Sequence, residues 1–345
     1  MKKYNVGMIG YGWAASAHIE SINKTSNARV TAVWSGREWN EAELSAKHGG
    51  KIRYYKDLDV MLADPEIHVV DITSYPSQHT TQAIKAANAG KHIILEKPMA
   101  LSLKDCRDIV AAAEKNNVKG CVCFECRFSS QFLVTKALID EGLLGDLHYG
   151  EVDYYHGIGP WYGQFRWNTA KKEGGSALLT AGCHALDALL LCMGPNVESV
   201  CSFATKSRSA IFTPYEYDTS STTIIRFKDG RIGKSAAIVD CLQPYYFHTH
   251  LVGSEGSLLD NKFHSAKLNT DKHHWSQLSM KMLDSGDVSD HPYQTQFEAF
   301  FAALDKGEDM PLTSFQESLK TFEVIFAADR SAAEGGRLVS ISELS

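Results

Sequence analysis

Gly10, Gly12 and Ala15 stand at the spacing Gly-x-Gly-x-x-Ala, between an apolar run and a helical pattern. Residues of these types at this spacing can cradle a dinucleotide pyrophosphate. Gly10 permits the tight turn, Gly12 lets the backbone come close to the phosphates, and Ala15 replaces a third glycine while still allowing close helix–strand packing. The backbone of Trp13 and Ala14 then opens a helix whose free N–H groups and positive dipole end suit an anion. The motif gains weight from its place at the start of a strand–helix–strand unit. After the second strand, an acid would ordinarily take the ribose hydroxyls of NAD, but the sequence reads Trp34-Ser35-Gly36-Arg37. Ser35 stands near the missing acid and Arg37 can meet a 2′-phosphate, so the reading leans to NADP. Glu38 and Glu41 are close enough to keep NAD open.

Two further groups invite a metal. Cys121, Cys123 and Cys126 lie close together, but no second cysteine pair or histidine pair stands at a matching distance, so they read as reduced thiols in a buried strand. His248 and His250 alternate along a strand and share one face. No Asp or Glu partner for them is evident in the sequence, and no metal site is assigned.

The elements that must position these residues follow one rhythm. Tyr4–Gly10 reads as a buried strand, Arg29–Trp34 as a second, Ile67–Ile72 as a third and His92–Leu95 as a fourth. Ser77–Ala89 is a helix closed by Gly90, Ser102–Asn116 is a helix that Ser102 caps, and Val118–Phe124 is a further strand. Strands alternating with helices predict a parallel sheet covered on both faces, an α/β Rossmann domain. Ligand groups gather at the carboxyl ends of such strands. Those ends are Gly10, Ser35, Thr73-Ser74-Tyr75, Glu96-Lys97-Pro98 and Glu125-Cys126-Arg127.

From about residue 125 the pattern changes. Leu147–Tyr155, Val197–Lys206, Ser221–Phe227, Ile232–Val239 and Phe247–Val252 read as strands, several joined by short turns such as Asp229-Gly230 and Glu255-Gly256. Gly174–Leu191, Tyr293–Leu304 and Ser314–Ala333 read as helices. The expectation is a Rossmann domain over 1–124, followed by an α+β domain over 125–345 with a large, mostly antiparallel open sheet. The last helices are candidates for packing back on the first domain.

Composition narrows the class. A chain of 345 residues with 44% hydrophobic and 22% charged residues has room for two cores. The net charge of -6, with no long basic run, makes nucleic acid an unexpected partner. The most apolar stretch, Ala177–Met193, carries His184 and Asp187 and is short for a membrane span. The start of the chain lacks the apolar core of a signal peptide, and the scattered cysteines suit a reducing compartment. The expected location is cytoplasmic, with no membrane partner.

The Rossmann start, His79, Ala89-Gly90-Lys91-His92, Glu96-Lys97-Pro98, and Gly174-Gly175-Ser176 followed by His184 and Asp187 together resemble the Gfo/Idh/MocA family of oxidoreductases. The resemblance runs through nearly the whole chain, and the stretch from Ala89 to Pro98 is its most specific part. It implies an active site between the two domains, and oxidation or reduction of a carbinol on a sugar, cyclitol or related polyol. It assigns Lys97 to the reacting hydroxyl and the nicotinamide and sets Tyr75 at a turn near the cofactor; His79 and the strand-end residues Thr73, Ser74 and Glu96 are read on the cofactor side with it. Chemistry asks for such a base independently. Oxidising a secondary alcohol sends a hydride to the nicotinamide and a proton to the protein. A free lysine, with a pKa of about 10.4, needs burial or a nearby positive charge to serve at neutral pH.

His184 matches the family's second-domain histidine. Many members carry an Asp one helical turn earlier, where this chain has Thr180, which can exchange a hydrogen bond with substrate but cannot act as a carboxylate base. His184 is therefore read as the proton acceptor with Lys97 polarising the oxygen, the reverse assignment staying open. Asp187, at i+3, is placed to orient His184. Glu125 and Arg127, at a strand end, are read as substrate contacts. So are Trp161 and Tyr162, with Trp167 nearby, which can stack on a sugar ring. The resemblance also implies a homodimer or homotetramer. The leading function is an NAD(P)-dependent dehydrogenase. A glycosidase that retains its NAD(H) for transient ring oxidation is a second reading, and a non-catalytic dinucleotide sensor a third.

Overall fold

The computed structural model describes residues 2–269, 271–287 and 291–344. Its first sheet comprises β1 (Tyr4–Ile9), β2 (Ala28–Trp34), β3 (Arg53–Tyr55), β4 (Val69–Ile72), β5 (His92–Leu95) and β6 (Gly120–Val122). The order is β3-β2-β1-β4-β5-β6, and every pairing is parallel. Helices α1 (Trp13–Lys24), α2 (Glu41–His48), α3 (Leu58–Ala63), α4 (Pro76–Asn88) and α5 (Leu103–Lys115) connect the strands. All four residues of β4 are buried, and three of the four in β5, as expected for strands covered on both faces. The strand order reverses between β1 and β4, and such a switch point opens a crevice at the strand ends.

Sequence reading placed no element between Trp34 and Ile67. Asn40 and Asp57 cap α2 and α3 there through their side chains, and β3 has only three residues, too few for its alternation to register. The strand expected at Val118–Phe124 is shorter, and a 3-10 turn, Glu125–Phe128, follows it.

The second sheet follows α6 (Ser130–Asp140). It contains β7 (Leu147–Tyr155), β8 (Val197–Thr205), β9 (Ser220–Phe227), β10 (Ile232–Ile238), β11 (Tyr246–Gly253), β12 (Gly256–Leu259), β13 (Lys262–Ser265), β14 (Ser276–Gln277) and a C-terminal strand, Val339–Ser340. Its pairings are antiparallel except that of β7 with β10. Two short helices, α7 (Phe165–Asn168) and α8 (Lys171–Gly174), precede α9 (Cys183–Met193), which covers the inner face at β7 and β10.

The single helix expected at Gly174–Leu191 is broken. Gly175, with φ of 72°, ends α8, and a π-helical turn, Leu178–Gly182, leads into α9. Ser176 restarts the helix: its Oγ accepts the Leu179 N–H at 2.9 Å and donates to Asp329 at 2.8 Å. An 18-residue window within Lys171–Met193 is long and apolar enough to cross a membrane by composition, yet it is 89% buried inside the protein.

The chain forms two compact units, Met1–Glu125 with His291–Leu319, and Cys126–Asp290 with Lys320–Ser345. The division departs from the 125–345 span of the sequence reading at residues 291–319, which lie among the last helices named there as candidates for packing back. Helix α10 (Tyr293–Lys306) belongs with the first unit because it buries Tyr293, Phe297, Phe300, Phe301 and Leu304 there, packing on α1 and stacking Phe301 on Tyr4. Each fully buried phenylalanine is worth about 1.5–3 kcal/mol over an exposed one. Helix α11 (Phe315–Ala333) divides between the units.

Candidate active site

In the first unit the glycine motif turns as its residue types require. Gly10 has φ of 95°, and a Cβ there would stand 2.8 Å from the Ser74 backbone nitrogen. Gly12 is the N-cap of α1, makes no side-chain cap, and has open space where a Cβ would be. No acid stands in the first turn of α1. The helix thus presents uncapped N–H groups and an unopposed dipole to an anion, which fits a dinucleotide pyrophosphate. Trp13 is exposed, Ala14 half-buried and Ala15 buried against the sheet.

After β2, Ser35 folds its loop rather than reaching outward. Its Oγ accepts the Arg37 N–H at 3.1 Å and Trp39 Nε1 at 3.2 Å. Arg37 is exposed. Both nearby acids are engaged: Glu38 pairs with Lys56 at 2.9 Å, and Glu41 accepts the Tyr54 N–H at 2.9 Å.

The ends of β4 and β5 are tied together from behind. Thr73 Oγ1 donates to Gly10 O, and Ser74 Oγ donates to Gln82. Tyr75 is exposed at the start of α4. His79 was read as a cofactor contact, but it is fully buried, with Nδ1 2.8 Å from Pro98 O and Nε2 3.1 Å from Ser74 O. It braces the two strand ends.

Glu96 needs the same correction. It is buried, and its carboxylate accepts the Lys97 N–H at 2.9 Å, His18 Nε2 at 3.0 Å and the Tyr293 hydroxyl at 2.9 Å. His18 is fully buried, and its Nδ1 lies 2.9 Å from Asp71 Oδ2. Donating to a carboxylate from each ring nitrogen makes His18 an imidazolium. Burial alone would lower its pKa, but Asp71 and then Glu96 raise it to about 10. Burial likewise opposes the Glu96 charge, yet His18 outweighs it and holds the carboxyl down at about 2. Lys97 itself is half-buried at the carboxyl end of β5. Glu125 is buried, with His291 Nε2 3.7 Å away. Burial and the Glu96 charge push its carboxyl up to about 8, against the pull of the Lys97 ammonium.

In the second unit His184 and Thr180 are both buried. The π-helical turn replaces the plain helical spacing between them. The Thr180 hydroxyl donates to Asn168 Oδ1 at 2.7 Å, and the same oxygen accepts the Tyr217 hydroxyl at 3.1 Å. Asn168 Nδ2 is buried with no hydrogen-bond partner among the described residues. Gly174 makes room for this set: a Cβ there would come within 2.4 Å of both Asn168 O and the Tyr217 hydroxyl.

Arg127 and Asp187 form one buried ion pair. Arg127 Nε donates to Asp187 Oδ2 at 2.5 Å and Nη2 to Oδ1 at 2.7 Å, while Thr321 also donates to Oδ1. This two-pronged pair fixes α9 to neighbouring elements. Trp161 is 61% exposed and donates from Nε1 to Gly157 O. Tyr162 donates to Gly286 O and packs on His156, which also meets Tyr154 and Tyr245.

Sequence reasoning missed His18, Asp71, Tyr293, Asn168, Tyr217 and His156. Cys121 and Cys123 are buried, and burial pushes their thiols well above their ordinary range. The reading of His248 and His250 as lacking an acidic partner does not hold. Glu151 of β7 stands opposite His250, and ligand atoms of the three lie within 4.8 Å of one another.

Comparison with known proteins adds to this geometry. Residues 4–124 match the family described as oxidoreductase family, NAD-binding Rossmann fold, and residues 132–259 match the GFO/IDH/MocA C-terminal domain. The chain is 27% identical to myo-inositol 2-dehydrogenase of Thermotoga maritima, over 98% of this chain and 99% of that protein. It is 30% identical to an uncharacterised oxidoreductase of Synechocystis sp., but over 55% of this chain and 51% of that protein, about half the length of each. Among solved structures, levoglucosan dehydrogenase in complex with NADH and levoglucosan superposes with a TM-score of 0.83 at 22% identity, covering 99% of this chain and all of that one.

Proposed function

Because the chain belongs to the Gfo/Idh/MocA oxidoreductase family, we propose that it is a dehydrogenase moving a hydride between a nicotinamide dinucleotide and a secondary hydroxyl of a sugar, glycoside or cyclitol. The observation that carries the reading is the setting of Lys97. It leaves the first sheet at the carboxyl end of β5, one strand from the switch point, with its backbone N–H held by Glu96. The names of the inositol and levoglucosan relatives support a polyol substrate.

The bound dinucleotide supplies the hydride acceptor or donor. The chain supplies the proton chemistry. His184 takes the proton of the reacting hydroxyl, and Lys97 polarises its oxygen. Thr180, whose hydroxyl hydrogen goes to Asn168, brings no carboxylate to the reaction. The Asn168 amide is the donor offered to a substrate hydroxyl, since a buried N–H without a partner costs about 1–3 kcal/mol until one is supplied.

The cofactor preference is for NADP. No acid stands at the end of β2, Glu38 and Glu41 are held by Lys56 and Tyr54, and Arg37 is exposed beside the turn. The working form is a homodimer or homotetramer, supported by apolar side chains left exposed on the second sheet.

One assay tests the reading. Purified protein is given a panel of sugars, inositols and glycosides with NAD⁺ or NADP⁺, and reduced nicotinamide and released sugar are followed together. Reduced nicotinamide accumulates with one polyol class, faster with NADP⁺. Lys97→Ala and His184→Ala each lower turnover by about a hundredfold or more, as loss of a general acid–base group does. Sugar release without accumulating reduced cofactor would replace the dehydrogenase by a cofactor-retaining glycosidase.

A further inference from the structure

We propose that Glu151, His248 and His250 form a binding site for one zinc ion, or a similar borderline divalent cation, on the outer face of the second sheet. The register creates the site. β7 and β11 run antiparallel, with His250 directly opposite Glu151 and His248 opposite Asp153. Residues two apart on a strand share a face, so both imidazoles and the Glu151 carboxylate lie together. His248 Nε2 is 3.9 Å from Glu151 Oε1, and all three ligand atoms lie within 4.8 Å. Zinc ligands at about 2.0–2.2 Å in a tetrahedral site stand roughly 3.4 Å apart, so side-chain movements of about 1 Å close the set. Three protein ligands leave the fourth position to water, and two imidazoles favour zinc over calcium or magnesium.

The surroundings are those of a ligating histidine. His248 Nδ1 lies 3.2 Å from Asp260 Oδ1, and the Tyr246 hydroxyl donates to Asp260 at 2.7 Å. A carboxylate on one ring nitrogen fixes the ring and turns the other toward the cation. Three carboxylates, Glu151, Asp153 and Asp260, face one ammonium. Lys234 lies 2.5 Å from Glu151 and 2.6 Å from Asp153, and keeps Asp153 when Glu151 turns to the metal. Zinc takes an imidazole in its neutral form, so binding weakens as the pH falls.

The test is equilibrium binding of zinc chloride to the full chain, stripped with chelator, at about pH 7.5, with thermal unfolding followed alongside. The expected result is one zinc per chain and a raised Tm. His248→Ala and His250→Ala abolish both, and Asp260→Asn weakens binding about tenfold or more. The variants keep the metal-free Tm and dehydrogenase turnover of the parent, which shows that they fold. The proposal is overturned if the parent binds no zinc, or if the folded histidine variants bind it as tightly as the parent.

Discussion

His18 is the hinge of the first unit's buried charge. It stands between Asp71 and Glu96, and Glu96 in turn grips the backbone of Lys97. Removing the imidazole would leave two carboxylates in the interior without their counter-charge. His18→Ala is therefore expected to lower stability by about 3–5 kcal/mol in urea unfolding, the range for a broken buried ion pair. The pH dependence has a definite sign. A histidine raised from 6.5 to about 10 contributes stability that is whole below pH 6.5, declines above it, and is gone once the pH passes about 10. The gap between parent and variant should narrow as the pH approaches 10, and a gap that stays constant would disprove the imidazolium. Residues of this kind set the limit of what a sequence discloses. Lys97 is legible because Glu96-Lys97-Pro98 is a local motif at a strand end. His18 is not, because its partners lie 53 and 78 positions away. The pairing of Asp187 with Arg127, 60 positions away, is equally beyond local spacing.

The helix that carries Thr180 and His184 depends on how its start is held. Ser176 caps the new helix after Gly175 and is itself gripped by Asp329 of α11. Asp329 is half-buried. Burial pushes its carboxyl up from 3.8 to about 6, with Ser176 and Lys171 only partly opposing. Because the folded pKa is the higher one, folding loses stability as the pH rises from about 4 through about 6, and the loss stays constant above that. The gap between 3.8 and about 6 corresponds to about 3 kcal/mol. An amide keeps the acceptor for Ser176 without the charge. Asp329→Asn should raise the Tm at pH 8 and leave it nearly unchanged at about pH 4, where the native carboxyl is already neutral. Equal gains at both pH values would mean that the acid is not strained by its burial. Elements with strong local patterns, such as β1, α4 and β11, were readable within a residue or two. The break at 175–182 was not, because it rests on a π-helical turn and on the contact of Ser176 with Asp329, 153 positions away.

At the scale of the whole molecule, each core could be anticipated from alternation. A boundary near residue 124 follows from the change from parallel to antiparallel patterning. Residues 291–319 join the first unit through the aromatic face of α10 meeting α1. The second sheet raises a further question. Its inner face is covered by α9, and its outer face should be polar if it met only water. Instead Phe203 is 63% exposed, Ile224 48% and Ile232 49%. Cys201 of β8 pairs with Ile224 of β9, which makes Phe203 its diagonal neighbour, and Ile232 of β10 pairs with Arg226 of β9. Three large apolar side chains gathered on neighbouring strands are the mark of a protein contact surface, and in a homo-oligomer the same patch serves both copies. The parent chain should therefore sediment as a dimer or tetramer of the 38.1 kDa subunit. Phe203→Asp and Ile224→Asp place a charge on exposed positions, so they should shift the protein toward the single subunit without unfolding it, as far-ultraviolet circular dichroism would verify. A parent that sediments as a single subunit at micromolar concentration would mean that the patch faces some other partner. Folded variants that remain assembled would move the interface elsewhere on the chain.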